Sequence, residues 1–314
     1  MRRFLWLVVV LMIGLLLVAG CGGSAPAPTE PAGDGSGEQT EPVEKPKIIV
    51  GSKNFTEQLI AGEMVALLFE DAGYPVERKM RLGGTGLVHE SLVNGEINVY
   101  VEYTGTGLTA LLKEEPMFDP QAVYDRVKAA YKEKWNLVWL EPWGFNNTYT
   151  ITMSKAKAEE LGVSKISDLK GKAENMIIGA TQEFIPRADG LAGLQEKYGF
   201  KFKEAKGMDS GVMYEALKEG NVDAISGFAT DGRIPAFNFI NLEDDLSYFP
   251  PYFAAPVVSG ALLEQDPAVA DILNKLANKI DDATMGALNY DVDGNKKEPI
   301  DVARKFLQDN GLIN

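Results

Sequence analysis

The chain repeats itself. Residues 87–105 read LVHESLVNGEINVYVEYTG, and residues 212–230 read VMYEALKEGNVDAISGFAT. At a constant offset of 125 residues, Glu90 meets Glu215, Leu92 meets Leu217, Gly95 meets Gly220 and Ile97 meets Val222. Each copy predicts a helix, a glycine stop, a strand and a turn. Tyr103 meets Phe228, so an aromatic closes the same strand twice. Two readings follow. Helix–strand units resemble one another by default, or two related lobes each present one aromatic to a shared cleft. A looser match joins IIVGSKNFTE at 48–57 to MIIGATQEFIPR at 176–187. Each strand ends in glycine and enters a polar loop with a basic residue, Lys53 or Arg187. Loops at the C-terminal ends of strands are where open α/β sheets bind ligands.

The local pattern agrees with an α/β fold. Lys47–Gly51 reads as a short buried strand. Asn54 followed by Glu57 predicts a capping box. Leu59, Ile60, Met64, Leu67 and Leu68 then share one helical face, and Gly73 suits the position just past the helix end. A strand follows at Val76–Leu82, and the glycine-rich Gly83–Gly86 predicts a tight entry into the next helix. Strands alternating with helices at this spacing predict a parallel-type α/β architecture. Near the C-terminus, 264–285 predicts one helix, with Leu273, Leu276 and Ile280 packed on the first lobe.

The first twenty residues are not fold. Arg2 and Arg3 precede an apolar run from Phe4 to Ala19, the pattern of a secretory signal. A membrane-spanning anchor competes, because the run is nearly long enough. Val18-Ala19-Gly20-Cys21 resembles the lipobox of bacterial lipoproteins, and Cys21, the only cysteine, is the expected lipidation site. Residues 21–46 are rich in Gly, Pro, Ser, Thr and Glu, and predict a disordered tether. Lipid on Cys21 would hold the protein at the membrane surface. The chain carries a formal charge of −14, and loss of Arg2 and Arg3 makes it about −16. That sign disfavours nucleic acid.

Catalytic constellations are scarce. His89 is the only histidine, and it lies within a predicted helix as a structural or surface residue. With this one histidine read as structural and Cys21 consumed by the anchor, a Ser-His-Asp or Cys-His triad is disfavoured. No HExxH, CxxC or phosphate-loop pattern occurs. We therefore expect no enzyme, no cofactor and no metal. Aromatics beside turns are more informative: Tyr103, Tyr149, Phe228 and Tyr252. With Lys53 and Arg187, they suggest a ligand with a bulky cation and a carboxylate. A quaternary ammonium cannot donate hydrogen bonds and is best held by ring faces. A carboxylate wants Lys, Arg or backbone N–H groups.

Several segments carry a family likeness. They are GSKNFTEQ at 51–58, EYTGT at 102–106, NNTY at 146–149, R-DG at 187–190, TDGRI at 230–234 and DD…FPPY at 244–252. In order and spacing they resemble the glycine betaine/carnitine/choline substrate-binding proteins of osmoprotectant ABC importers, over nearly all of 47–314. The resemblance implies a two-lobe, type II periplasmic-binding-protein fold with an aromatic cage between the lobes. It places the cage at Tyr103, Tyr149, Phe228 and Tyr252, with Phe228 where a tyrosine is usual. It places carboxylate-holding groups at Lys53, Thr106 and Arg187. Asn147 stands where relatives often have aspartate. An acid at 106 would repel a carboxylate whereas Thr106 can donate to one, so a betaine is expected over choline.

The resemblance further implies an extracytoplasmic, lipid-anchored monomer that delivers a quaternary-ammonium ligand to an ABC permease. The lobes are expected at 47–145 plus 254–314 and at 146–253, closing on the ligand. The alternatives are a receptor for another zwitterion such as an amino acid, a surface-anchored enzyme, or a sensory module without a transporter.

Overall fold

The computed structural model describes residues 44–314. The expected signal, Cys21 and nearly all of the tether lie outside the described residues. Ten strands form the framework: β1 (Ile48–Lys53), β2 (Val76–Gly83), β3 (Val99–Tyr103), β4 (Leu137–Trp139), β5 (Tyr149–Ser154), β6 (Ile177–Ala180), β7 (Glu204–Gly207), β8 (Ala224–Phe228), β9 (Phe239–Leu242) and β10 (Ala254–Ser259). They make two five-stranded sheets, ordered β2-β1-β3-β10-β4 and β7-β6-β8-β5-β9. The two orders are the same order. In each, three parallel strands meet one antiparallel strand, β10 or β5, supplied from across the molecule. This is the two-lobe α/β fold.

The sequence repeat is a repeat of structure. Helix α1 spans Thr56–Asp71 and helix α2 spans Thr85–Val93. Helix α2 and β3 match the Ser210–Lys218 helix and β8 end for end at the 125-residue offset. Gly95 and Gly220 both take left-handed backbone, at φ 74° and 73°, as the turn out of each helix requires.

Helix α1 is buried on nearly all sides, from Glu57 to Phe69. A helix so apolar can only be an internal one. The expected capping box is absent. Phe55 is the N-cap residue, no side chain caps the helix, and Glu57 turns inward. Four neutral donors inside the protein hold that carboxylate instead, as described below.

The helix expected over 264–285 is broken. Helices span Gly260–Gln265, Ala268–Asn274 and Asp282–Asp293. Pro267 has no N–H to continue the first, and it forces Asp266 to extended backbone. Leu273, Leu276 and Ile280 are nevertheless buried in the core beneath the first sheet. His89 is buried rather than at the surface. It packs edge-on against Trp135 and Tyr131, with centroids at 4.4 and 5.5 Å, and burial lowers its pKa.

The chain passes between the sheets twice, from β4 to β5 and from β9 to β10. The two passages lie side by side. Asn146 and Phe253 form an antiparallel bridge, Asn147 N donates to Tyr252 O at 3.2 Å, and Tyr252 N donates to Asn146 Oδ1 at 2.7 Å.

Candidate functional site

The C-terminal ends of β1, β3, β6 and β8 face one another across a cleft, as sheets of this order require. There the structure opens a cavity of about 750 Å³, its solvent-open mouth included. Seven of the eight binding residues expected from sequence line it: Lys53, Tyr103, Thr106, Asn147, Tyr149, Phe228 and Tyr252.

The rings form a continuous arc. Tyr103 and Phe228 do not meet directly, because Phe55 lies between them. Its centroid is 6.3 Å from Tyr103 and 5.7 Å from Phe228, stacked on both. Phe228 continues to Tyr149 at 5.4 Å, and Tyr149 meets Tyr252 edge-on at 5.5 Å. Phe55 leaves β1 and Tyr103 ends β3, so these two rings come from the first lobe. Phe228 and Tyr149 are paired residues of β8 and β5 in the second. Tyr252 sits on the returning passage. Tyr103 is both cavity wall and core: it is 5% exposed, and its hydroxyl donates to Glu57 at 2.7 Å and accepts from Gln58 Nε2 at 3.1 Å.

The charges are arranged in buried pairs. Lys53 Nζ lies 2.6 Å from Glu102 Oε1 and 5.2 Å from the centroid of the Tyr103 ring. Burial lowers the Lys53 pKa, and the Glu102 carboxylate opposes that shift. An ammonium has three protons, so one bond to Glu102 leaves two for a ligand.

Arg187 is not part of the cavity wall, contrary to expectation. Its guanidinium forks onto Asp189, Nε to Oδ1 at 2.8 Å and Nη2 to Oδ2 at 2.6 Å, with centroids of Tyr149 and Tyr252 at 5.4 and 6.0 Å. Burial pushes the Asp189 carboxyl up, and the Arg187 fork outweighs it and holds the group below its ordinary value. Asp189 also accepts from the hydroxyls of Tyr252 and Thr109, the latter at 2.9 Å from the first lobe. Arg187 thus fastens the back of the cage through Asp189, and its charge is already matched. The R-x-D spacing at 187–189 was the available signal.

The polar end of the cavity has other donors. The Thr106 residue is 5% exposed and faces the space. The N-termini of the two repeat helices reach it as well, through Gly84 and Thr85 on one side and Asp209 and Ser210 on the other. Free N–H groups at helix starts favour an anion. Phe55, Glu57 and Asp189 were missed by sequence reasoning, although all three lie within the quoted segments. Among the described residues, no cluster of His, Cys, Asp or Glu could hold a metal ion.

Comparison with known proteins identifies the family. Residues 46–309 match the family described as the substrate binding domain of ABC-type glycine betaine transport system, OpuAC. The chain belongs to this family. It is 37% identical to the glycine-betaine-binding protein of Pseudomonas aeruginosa over 84% of this chain and 88% of that one. It is 35% identical, over 86% of its length, to an ergothioneine transport permease/ergothioneine binding protein, EgtU, of Helicobacter pylori. The match spans 49% of that longer relative, so the chain covers about half of it. A solved structure titled as a glycine betaine/carnitine/choline ABC transporter aligns with a TM-score of 0.71 at 33% identity, covering 85% of this chain and 100% of that one.

This OpuAC-family protein is therefore an extracytoplasmic substrate-binding component that works with an ABC permease, not an enzyme.

Proposed function

We propose that the protein captures betaine-type zwitterions, with the quaternary ammonium against the ring arc and the carboxylate at the polar end. The continuous arc Tyr103–Phe55–Phe228–Tyr149–Tyr252 carries the reading. Ring faces are worth about 0.5–2 kcal/mol each toward a desolvated cation, and no primary amine or metal chemistry needs five of them. The carboxylate is taken by the two free protons of Lys53, by Thr106 and by the helix starts at Thr85 and Ser210. The primary ammonium of an amino acid would instead ask for hydrogen-bond acceptors at the rings.

The cavity is lined beyond the rings and the carboxylate-holding groups. Polar residues of the second lobe, Thr181, Gln182 and Glu183, extend its lining. They favour a betaine with further polar groups on its frame, such as carnitine or ergothioneine, itself a trimethylammonium betaine. The sequence-derived lobes, 47–145 plus 254–314 and 146–253, close on the ligand along the Thr109–Asp189 contact. Lipid on Cys21 tethers a monomer beside its permease.

Calorimetry of residues 44–314 with glycine betaine, carnitine, ergothioneine and choline tests this. We expect a betaine to bind tightest. Choline tightest of the four would sink the carboxylate assignment, and binding of none would sink the cage.

A further inference from the structure

One charge behind the cavity has no counterpart. Glu57 is 3% exposed, and both its oxygens are fully engaged. Oε1 accepts from the Tyr103 hydroxyl and from Asn147 Nδ2, each at 2.7 Å. Oε2 accepts from Asn289 Nδ2 at 2.9 Å and from the Thr230 hydroxyl. All four donors are neutral. Among the described residues no Lys, Arg or His forms an ion pair with it, whereas Lys53 has Glu102 and Arg187 has Asp189. Taking an unpaired carboxylate out of water is costly and burial raises the Glu57 pKa, while the four hydrogen bonds to the charged form oppose that shift. The two donors on Oε1 are themselves walls of the cavity.

We propose that Glu57 is the fixed counter-charge of the cage, a specificity-determining residue acting through Tyr103 and Asn147 to separate a quaternary ammonium from an uncharged group of the same shape. The inference rests on the cage reading above. Three effects act in one direction. The carboxylate's own field reaches across a low-dielectric wall, where charges interact more strongly than in water. Donation of the phenolic proton toward Oε1 leaves the Tyr103 ring richer in electron density, which strengthens its pull on a cation. Asn147 must turn its amide nitrogen to the carboxylate, so its negative end, Oδ1, is the group left over. That oxygen has no hydrogen-bond partner among the described residues. The same geometry accounts for asparagine at 147 in this chain. An aspartate there would set two carboxylates against each other across the 2.7 Å contact.

The test uses two ligands of one shape. Glycine betaine and 3,3-dimethylbutanoate differ only by a quaternary nitrogen in place of a quaternary carbon. Ligand-observed NMR reads both affinities, including millimolar ones. Wild-type protein that binds neither of these, nor carnitine or ergothioneine, would overturn the cage reading and this inference with it; if it takes only a larger betaine, that betaine and its carbon isostere replace the pair. If glycine betaine binds, Glu57→Gln is expected to weaken it by roughly tenfold or more, while 3,3-dimethylbutanoate holds or gains. Equal loss for both ligands would show a merely structural residue, and unchanged betaine affinity would also overturn the proposal. Should Glu57→Gln fail to fold, the exchanged pair Glu57→Gln with Asn147→Asp keeps one carboxylate against one amide and moves the charge to the cavity wall. Its betaine-to-isostere affinity ratio is expected to rise above the wild-type ratio, and an unchanged or lower ratio would overturn the proposal.

Discussion

Phe55 of the first lobe lies stacked on Phe228 of the second, with centroids 5.7 Å apart and planes within 4°. A contact of this kind makes the ring arc one surface instead of two facing halves.

Phe55→Ala should therefore weaken binding of a quaternary ammonium by about 1–2 kcal/mol, the scale of one ring face with its stacking. Titration against the best ligand of the panel checks this, with circular dichroism as a control for folding. Phe55 is only half-buried and stands outside helix α1, so the fold should survive. Unchanged affinity would remove Phe55 from the cage.

Gly105 has no room for a side chain. A Cβ there would lie 2.7 Å from both the Pro251 carbonyl oxygen and the Tyr252 ring. Gly105→Ala is expected to cost about 1–3 kcal/mol of stability as an overpacked site. It should also lower affinity, because the group displaced is the Tyr252 ring of the cage. Denaturant unfolding gives the first quantity and calorimetry the second. Loss of stability with full affinity would mean that Tyr252 is not a wall of the bound state.

The Lys53–Glu102 pair predicts a pH dependence. Burial lowers the Lys53 pKa in the folded state, so the unfolded chain binds more protons as pH approaches the ordinary lysine value of about 10.4. Stability contributed through Lys53 therefore rises with pH in that window. Glu102→Gln removes the group that opposes the shift and deepens it. The variant should be less stable than wild type by about 3–5 kcal/mol near neutral pH, the scale for breaking a buried pair. The deficit should shrink as pH is raised toward 10.4. Unfolding midpoints of both proteins across that range decide it, and a deficit independent of pH would refute the charge argument.

Much of the architecture was legible in the sequence. The 125-residue repeat carried the shared helix–strand unit because its marks are local: a glycine after the helix, a short buried strand, an aromatic at the end. The sites of failure are tertiary. Glu57 has the spacing of a capping box, and the competing use of its carboxylate depends on Asn147, Thr230 and Asn289, far away in sequence. Arg187 looked available to a ligand because nothing in the spacing R-x-D says which face of the loop the guanidinium takes. Phe55 read as the residue before a helix, and its partner across the cleft is 173 positions later. Asp266-Pro267, by contrast, was a readable stop inside a run whose apolar spacing suggested continuity.

Two passages join the sheets, and they are paired at Asn146 and Phe253. Asn147 and Tyr252, which line the cavity, stand on these joined passages. The repeat-related residues Leu87 and Val212, which are 53% and 57% exposed, stand in the first turns of the two repeat helices. In each lobe the repeat thus leaves one matched apolar side chain at the surface, two residues beyond a helix start that lines the cavity.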